Sequence, residues 1–382
     1  MTKLVLLLTL LIGNVYSKSI DKSLFEKTVT TIKSTNYHNL SDKEIYEAAL
    51  KGVLKHIESK NKVDKKLMSF RGDANILLPP RNANELKSEI AGEISGIGVV
   101  MEFEKDKGQK YPLIKKVLTQ GGAKKAGLKK GDQILKIEGA STSKENSFRD
   151  IVYKIRGKTN TNVKLTILRD ESIFVKRIKR KKINWEAAEL ESIEGNLAHI
   201  RLSYFNKKTA GKLEDILKKL KSKNVKSLVI DLRGNQGGIF DEGVKAAKLF
   251  AKKGQTVLTA KYSKAKVEKL KADRDGIGLG FNIALIIGRD TKSMGEAIAM
   301  ALKSFGNSTI IGEKSYGKAT METLLELDSG HTVKYTVGKL FDANGQTWDI
   351  SGITPDIVIP NQNGESGFDY QLNLAKKYLA RP

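Results

Sequence analysis

Cysteine is absent from all 382 residues. No disulfide framework, thiol nucleophile or cysteine-ligated metal is available to this chain. Histidine is scarce: His38, His56, His199 and His331 are the full complement. With no G-x-S-x-G turn and no H-E-x-x-H pair, an elbow-type histidine triad and a zincin site are excluded. His199 lies in an apolar strand-like run and reads as a packed core residue. Membrane-length apolar runs are missing too. Residues 4–12 are apolar but too short to cross a bilayer comfortably. They follow Lys3 and precede Val15-Tyr16-Ser17, so residues 1–17 read as a signal peptide cleaved after Ser17. The expected location is the periplasm or the exterior, with envelope association. Acidic residues are in deficit, 43 against 68 Lys and Arg, for a formal charge of +25. That balance favours an anionic envelope surface as neighbour. The densest basic run, residues 176–182, reads as a solvated strand end. No nucleic-acid signature accompanies it, so no nucleic-acid partner is expected.

Residues 18–95 read as mainly helical. Leu24, Phe25, Val29 and Ile32 recur on one face, and Ile45, Ala48, Ala49, Val53 and Leu54 do so again behind a cap at Ser41. Pro79-Pro80 breaks the pattern. Short strands and glycine turns follow, with helices at residues 123–128 and 148–155. This order resembles a PDZ domain over residues 96–182, most specifically in AGLKKGDQILKIEG at residues 126–139. The resemblance implies a substrate C-terminus held by strand addition. It places Ser95, Gly96, Ile97 and Gly98 at the carboxylate-binding turn, with Ile97, Val99, Ile151 and Ile155 lining the side-chain pocket. From residue 183 strands alternate with helices, the pattern of an α/β layer with parallel pairs. Residues 261–280 read as a looser charged segment.

One stretch, residues 283–327, carries the chemistry. A buried strand at residues 283–287 leads through a polar turn to Ser293. Behind it Met294, Ala297, Ile298, Ala301, Leu302 and Phe305 repeat at helical spacing. A further strand at residues 309–311 enters a glycine-rich turn holding Lys318. Taken alone, Ser293-Met294-Gly295-Glu296 is a capping box, and Lys318 is one lysine among many. Residues 312–318 (GEKSYGK) have phosphate-loop spacing, but Ala319 stands where the magnesium-binding hydroxyl belongs, and a strand-like run follows in place of the required helix.

Together these pieces resemble the C-terminal processing peptidases, or tail-specific proteases. The likeness rests on GVLKHIES at residues 52–59, the PDZ-like insert, DLRGNQGG at 231–238, GEKSYGK at 312–318 and SGITPDIVIP at 351–360. It implies an α/β chain with a crotonase-like αββ-spiral peptidase core, an inserted β-rich PDZ domain and an N-terminal helical segment. The divisions expected are a signal peptide at 1–17, a helical region at 18–95, the PDZ domain at 96–182, the peptidase core at 183–360 and a C-terminal tail at 361–382. By the same resemblance Ser293 is the nucleophile and Lys318 the base. The oxyanion donors are the Met294 N–H and one from Gly237 or Gly238. A lysine acts as base only as the neutral amine, which burial and a helix N-terminus both favour. No cofactor or metal is implied. The expected partners are protein or peptide substrates with apolar C-termini, and a second copy met through the N-terminal helices. The sequence departs from the family at Lys292 and Met294, which flank the serine, at Gln236, where proline is usual, and at Glu322. The family often has a glutamine there to orient the lysine, whereas a carboxylate would pair with it. A PDZ adaptor with a weak or inactive core is therefore the alternative reading.

Overall fold

The computed structural model describes residues 22–35, 41–60, 75–103, 110–144, 148–183, 186–262, 266–360 and 369–380. The expected signal peptide lies outside them. The described chain divides into two compact units, residues 1–77 and 78–382, so the division falls inside the region read as N-terminal helices.

The first unit contributes helices α1 (Lys22–Thr35) and α2 (Asp42–Lys60). Ser41 caps α2 as expected. Its N–H donates to Glu44 Oε2 at 2.8 Å, and Glu44 N–H returns a bond to Ser41 Oγ at 3.3 Å. Lys33 pairs with Asp42 at 2.8 Å and ties the two helices. Leu54 is buried, but Val53, expected on the same face, is exposed together with Tyr46 and Leu50.

In the second unit, helix α3 (Pro80–Ile90) starts at Pro80, whose fixed φ suits a first helical position. The region resembling a PDZ domain follows. Strands β1 (Ile94–Gly96) and β7 (Lys181–Ile183) pair where the chain enters and leaves it. Between them β2 (Val99–Glu102), β3 (Leu113–Val117), β4 (Gln133–Ile137), β5 (Asn162–Arg169) and β6 (Ser172–Lys179) form an antiparallel sheet in that order. Ile114, Ile134, Leu165, Ile167 and Ile178 from its inner face pack on Ile151 and Ile155 of α4 (Phe148–Ile155). The AGLKKGD turn is fixed by Asp132, whose side chain is fully buried. It accepts from Lys129 N–H at 2.8 Å and from Arg169 Nε and Nη2 at 2.6 and 2.8 Å.

The region expected as the peptidase core holds a six-stranded sheet ordered β8 (Ala188–Glu194), β9 (Leu197–Leu202), β10 (Ser227–Asp231), β13 (Asn282–Ile287), β14 (Ser308–Gly312) and β17 (Ile357–Val358). The first pair is antiparallel and the rest are parallel. The central strands are buried throughout, so they read as continuous apolar runs. Helices α5 (Thr209–Ser222), α6 (Phe240–Lys248) and α7 (Met294–Ser304) contribute to the large core cluster of one face. On the other face Val229, Ala284, Ile286 and Ile311 pack on α8 (Tyr370–Leu379). The stretch expected as a tail thus carries a helix that covers the sheet. The segment expected to be loose is also more ordered than its charge suggests: β12 (Val267–Lys271) pairs antiparallel with β11 (Thr256–Lys261). These two join β15 (Thr320–Glu326) and β16 (Thr332–Phe341) in a second sheet. His199 sits in β9 as read, but beside Asp231 Oδ2 at 3.8 Å rather than in a purely apolar setting.

Replacing Arg169 with alanine leaves the buried Asp132 carboxylate without its guanidinium. Scanning calorimetry of Arg169→Ala is expected to show the melting transition lowered by several degrees. An unchanged transition would show that the turn holds without the pair.

Candidate active site

β13 ends at Ile287 and the chain turns back toward the end of β10. Thr291 Oγ1 donates to Leu232 O at 2.8 Å and accepts from Gly288 N–H at 3.0 Å. Lys292 N–H donates to Asn235 O at 2.9 Å. Ser293 follows with φ 56° and ψ −123°. An ordinary N-cap is extended. A non-glycine residue forced to positive φ costs on the order of 1–3 kcal/mol, and such residues cluster at active sites. The serine is part-buried and opens the first turn of α7.

Glu296 explains how this turn is held. Its side chain is fully buried. Oε2 accepts from Ser293 N–H at 3.0 Å and from Lys318 N–H at 2.8 Å. Oε1 accepts from Gly317 N–H at 2.6 Å and from the Ser315 hydroxyl. One oxygen thereby joins the backbones of the two residues read as the dyad. The sequence marks Glu296 only as a helix cap; nothing in its spacing points to residues 315–318. Burial raises its carboxyl to about 7, against the lowering effect of the bonds from Ser315, Lys318, Gly317 and Ser293.

The lysine turn is braced from behind by the SGITP segment. Ile353 N–H donates to Ser315 Oγ at 2.7 Å, Ile350 N–H to Gly317 O at 2.9 Å, and Trp348 Nε1 to Lys318 O at 3.3 Å. Tyr316 N–H reaches Thr291 O at 3.1 Å, which ties the lysine turn to the serine turn a second time. Lys318 Nζ donates to Glu322 Oε2 at 2.8 Å, and both side chains are largely buried. Thr320 Oγ1 fixes the other carboxylate oxygen at 2.9 Å. Lys318, Thr320 and Glu322 occupy alternate positions of an extended chain and so share a face.

The other departures around the serine are accommodated. Lys292 lays its ammonium over the Tyr316 ring, 5.4 Å from the centroid. Met294 turns its side chain into the core, where Gly243 leaves it room: a Cβ at 243 would lie 2.2 Å from Met294 Cε. Its N–H is in the first turn of α7, where donors lack helical partners, and no bond among the described residues takes it. Gly237 faces the serine with φ 94°. A Cβ there would stand 3.0 Å from Ser293 Oγ and 3.1 Å from Met294 N. The missing side chain therefore keeps the space in front of Ser293 open. Of the two glycines named as donors, Gly237 has its N–H bonded to Asn235 Oδ1 at 2.8 Å. The Gly238 N–H is not taken by any described group.

In the PDZ domain, Ser95 and Gly96 belong to β1, opposite Lys182 and Lys181, and only Ile97 and Gly98 form the turn into β2. Their carbonyls accept from Ala123 and Leu118, while no described group takes their N–H groups. Ile97, Ile151 and Ile155 share one buried cluster with Val99 packed partly against it. β2 lies at the edge of its sheet, open to strand addition.

Family models match in two places: Peptidase family S41 at residues 196–359 and PDZ domain at residues 95–175. Carboxy-terminal processing protease CtpA of Bacillus subtilis is 31% identical over 332 residues, covering 87% of this chain and 67% of the relative. The chain belongs to peptidase family S41. That membership makes it a hydrolase of the serine-peptidase type. A CtpA-like serine protease of Staphylococcus aureus is 28% identical over 343 residues, covering 89% of this chain and 65% of its own. The chain thus spans about two thirds of the length of these curated relatives. Among solved structures, the photosystem II D1 C-terminal processing protease matches with TM-score 0.58 at 22% identity, covering 89% of this chain and 87% of that one. This likeness shows the fold.

Two outcomes follow from the geometry. Gly237→Ala puts a methyl group against the serine and the Met294 N–H, so peptide hydrolysis is expected to fall by about a hundredfold or more; an active variant would place the reacting carbonyl elsewhere. Glu296 binds its proton more tightly in the folded chain than in the unfolded one, where it titrates near 4.5. Its protonated form therefore contributes stability that is complete below pH 4.5 and lost as pH rises through about 7. The stability difference between parent and Glu296→Gln should fall across that window, by at most about 1.4 kcal/mol per pH unit. A flat difference in urea unfolding would show that Glu296 does not titrate there.

Proposed function

We propose that this S41 peptidase is an exported endopeptidase that captures apolar substrate C-termini in its PDZ domain and cleaves peptide bonds with a Ser293–Lys318 dyad. The observation that carries the reading is the single Glu296 oxygen bonded to both Ser293 N–H and Lys318 N–H, behind the cleared space at Gly237. Neutral Lys318, once released from Glu322, takes the Ser293 hydroxyl proton as the oxygen attacks the scissile carbonyl. The Met294 and Gly238 N–H groups and the N-terminal dipole of α7 stabilise the oxyanion. Collapse expels the amine, which leaves with the proton from Lys318. Water, deprotonated by the same lysine, then hydrolyses the acyl-enzyme and restores Ser293. Export rests on the pattern of Lys3, the apolar residues 4–12 and Ser17. The charge of +25 supports contact with an anionic envelope surface. Exposed Tyr46, Leu50 and Val53, at i, i+4 and i+7 along α2, support pairing of two copies through the N-terminal helices.

The Lys318–Glu322 ion pair favours a second reading, a PDZ adaptor whose core turns over slowly or not at all. The readings separate with an unstructured substrate ending in apolar residues, followed by intact mass spectrometry. The parent is expected to cleave it, and Ser293→Ala and Lys318→Ala to lose at least about a thousandfold. Glu322→Gln removes the carboxylate but keeps an acceptor, and is expected to cleave several times faster than the parent at neutral pH. Tail binding by all forms with cleavage by none would establish the adaptor.

A further inference from the structure

The oxyanion turn is fastened to a helix far along the chain. Arg233 lies between β10 and the glycines of that turn, with its side chain mostly buried. Its Nε and Nη2 grip Asp231 at 2.9 and 2.6 Å. Its Nη1 and Nη2 grip Asp369, 136 residues away, at 2.9 and 2.6 Å, and Nη1 also reaches Gln371 Oε1 at 3.2 Å. Asp369 is the N-cap of α8 and accepts from Leu372 N–H at 3.0 Å. Gln371 Nε2 donates onward to Ile359 O at 2.8 Å. On its other side the Arg233 stem meets the serine turn, where a Cβ at Gly288 would lie 3.6 Å from Arg233 Cγ. The flanking residues Leu232 and Asn235 accept the bonds from Thr291 and Lys292 that set Ser293.

Asp231 stays a carboxylate in this setting. Burial works to raise its carboxyl, but the neighbouring His199 and Arg233 hold it well below the usual range. His199 Nε2 and Arg201 Nη1 lie 3.8 and 3.9 Å from it. Arg233 therefore carries two carboxylates, one from the end of β10 and one from the N-cap of α8. A guanidinium with two bidentate partners has a fixed plane, and that fixes the start of the turn it belongs to.

We propose that Asp369 is a positioning residue for catalysis: by clasping Arg233 it uses the C-terminal helix to hold the residue 234–238 turn and the Ser293 turn in register. The proposal rests on the peptidase reading above for its kinetic consequence, but not for its structural one. Asn caps a helix about as well as Asp, so Asp369→Asn removes the charged clasp while leaving α8 capped.

The test compares the full chain with Asp369→Asn in two ways. In peptide hydrolysis, kcat is expected to fall roughly ten- to hundredfold with KM within twofold and the melting temperature nearly unchanged. In hydrogen exchange, the amides of residues 234–238 and 293–296 are expected to exchange faster while the PDZ strands stay as they were. A kcat within twofold of the parent overturns the proposal, and so does a loss that follows only a lowered melting temperature. If the parent shows no Ser293-dependent hydrolysis, the peptidase reading fails by itself. The exchange comparison then decides the clasp, and unchanged protection of both turns sinks it.

Discussion

A buried carboxyl group with four donors, its pKa raised by burial to about 7, holds the site together. Taking a carboxylate out of water costs several kcal/mol even after relaxation. Hydrogen bonds to a charged acceptor each return about 1.5–3 kcal/mol. Glu296 is tolerable in the interior because Ser293, Gly317 and Lys318 give it backbone N–H groups and Ser315 gives it a hydroxyl. The dependence is mutual. Those backbone groups lie at a helix start and in a tight turn, where secondary structure leaves donors unmet. The same bonds that satisfy them fix the serine and the lysine relative to each other.

The parallel sheet supplies the frame for that contact. β10, β13 and β14 run in the same direction, so the turns after them emerge at one edge. This edge is where open α/β sheets place their ligands. The turn after β10 brings Gly237 and Gly238, the turn after β13 brings Ser293, and the turn after β14 brings Lys318. Thr291 crosses from the second turn to the first, and Tyr316 from the third to the second. The constellation is a consequence of strand order and of a few cross-turn bonds, with Arg233 and α8 bracing it from the opposite face of the sheet.

The departures from the family pattern are local exchanges that the surroundings absorb to different degrees. Met294 keeps its N–H at the helix start and hides its side chain over Gly243, so the backbone function survives a bulky residue. Lys292 rests on Tyr316. Glu322 is different in kind, because its carboxylate occupies the Lys318 Nζ that the expected base role needs free. Here the chain keeps the serine and the lysine of the expected dyad on turns joined by Glu296, but places a carboxylate on the lysine.

The residue pattern by itself determined the element types along residues 283–327 and the PDZ succession around AGLKKGD, while the pairing of Glu322 with Lys318 was one of several arrangements that the fold decided. The first two depend on neighbours a few residues away, where period, glycine placement and spacing leave a direct mark. It did not reveal that residues 370–379 cover the sheet, because a short amphipathic helix after a break looks like any tail until a sheet face needs it. Nor did it show that Val267–Lys271 is a strand, since an exposed hairpin arm needs no apolar alternation. It left Gly237 and Gly238 as equal candidates; only the folded turn shows Asn235 Oδ1 taking the Gly237 N–H. The roles of Glu296 and Arg233 belong to tertiary structure for the same reason. Their partners are 19 to 22 and 136 residues away, and a charge buried between distant segments leaves no periodicity in the sequence that closes around it.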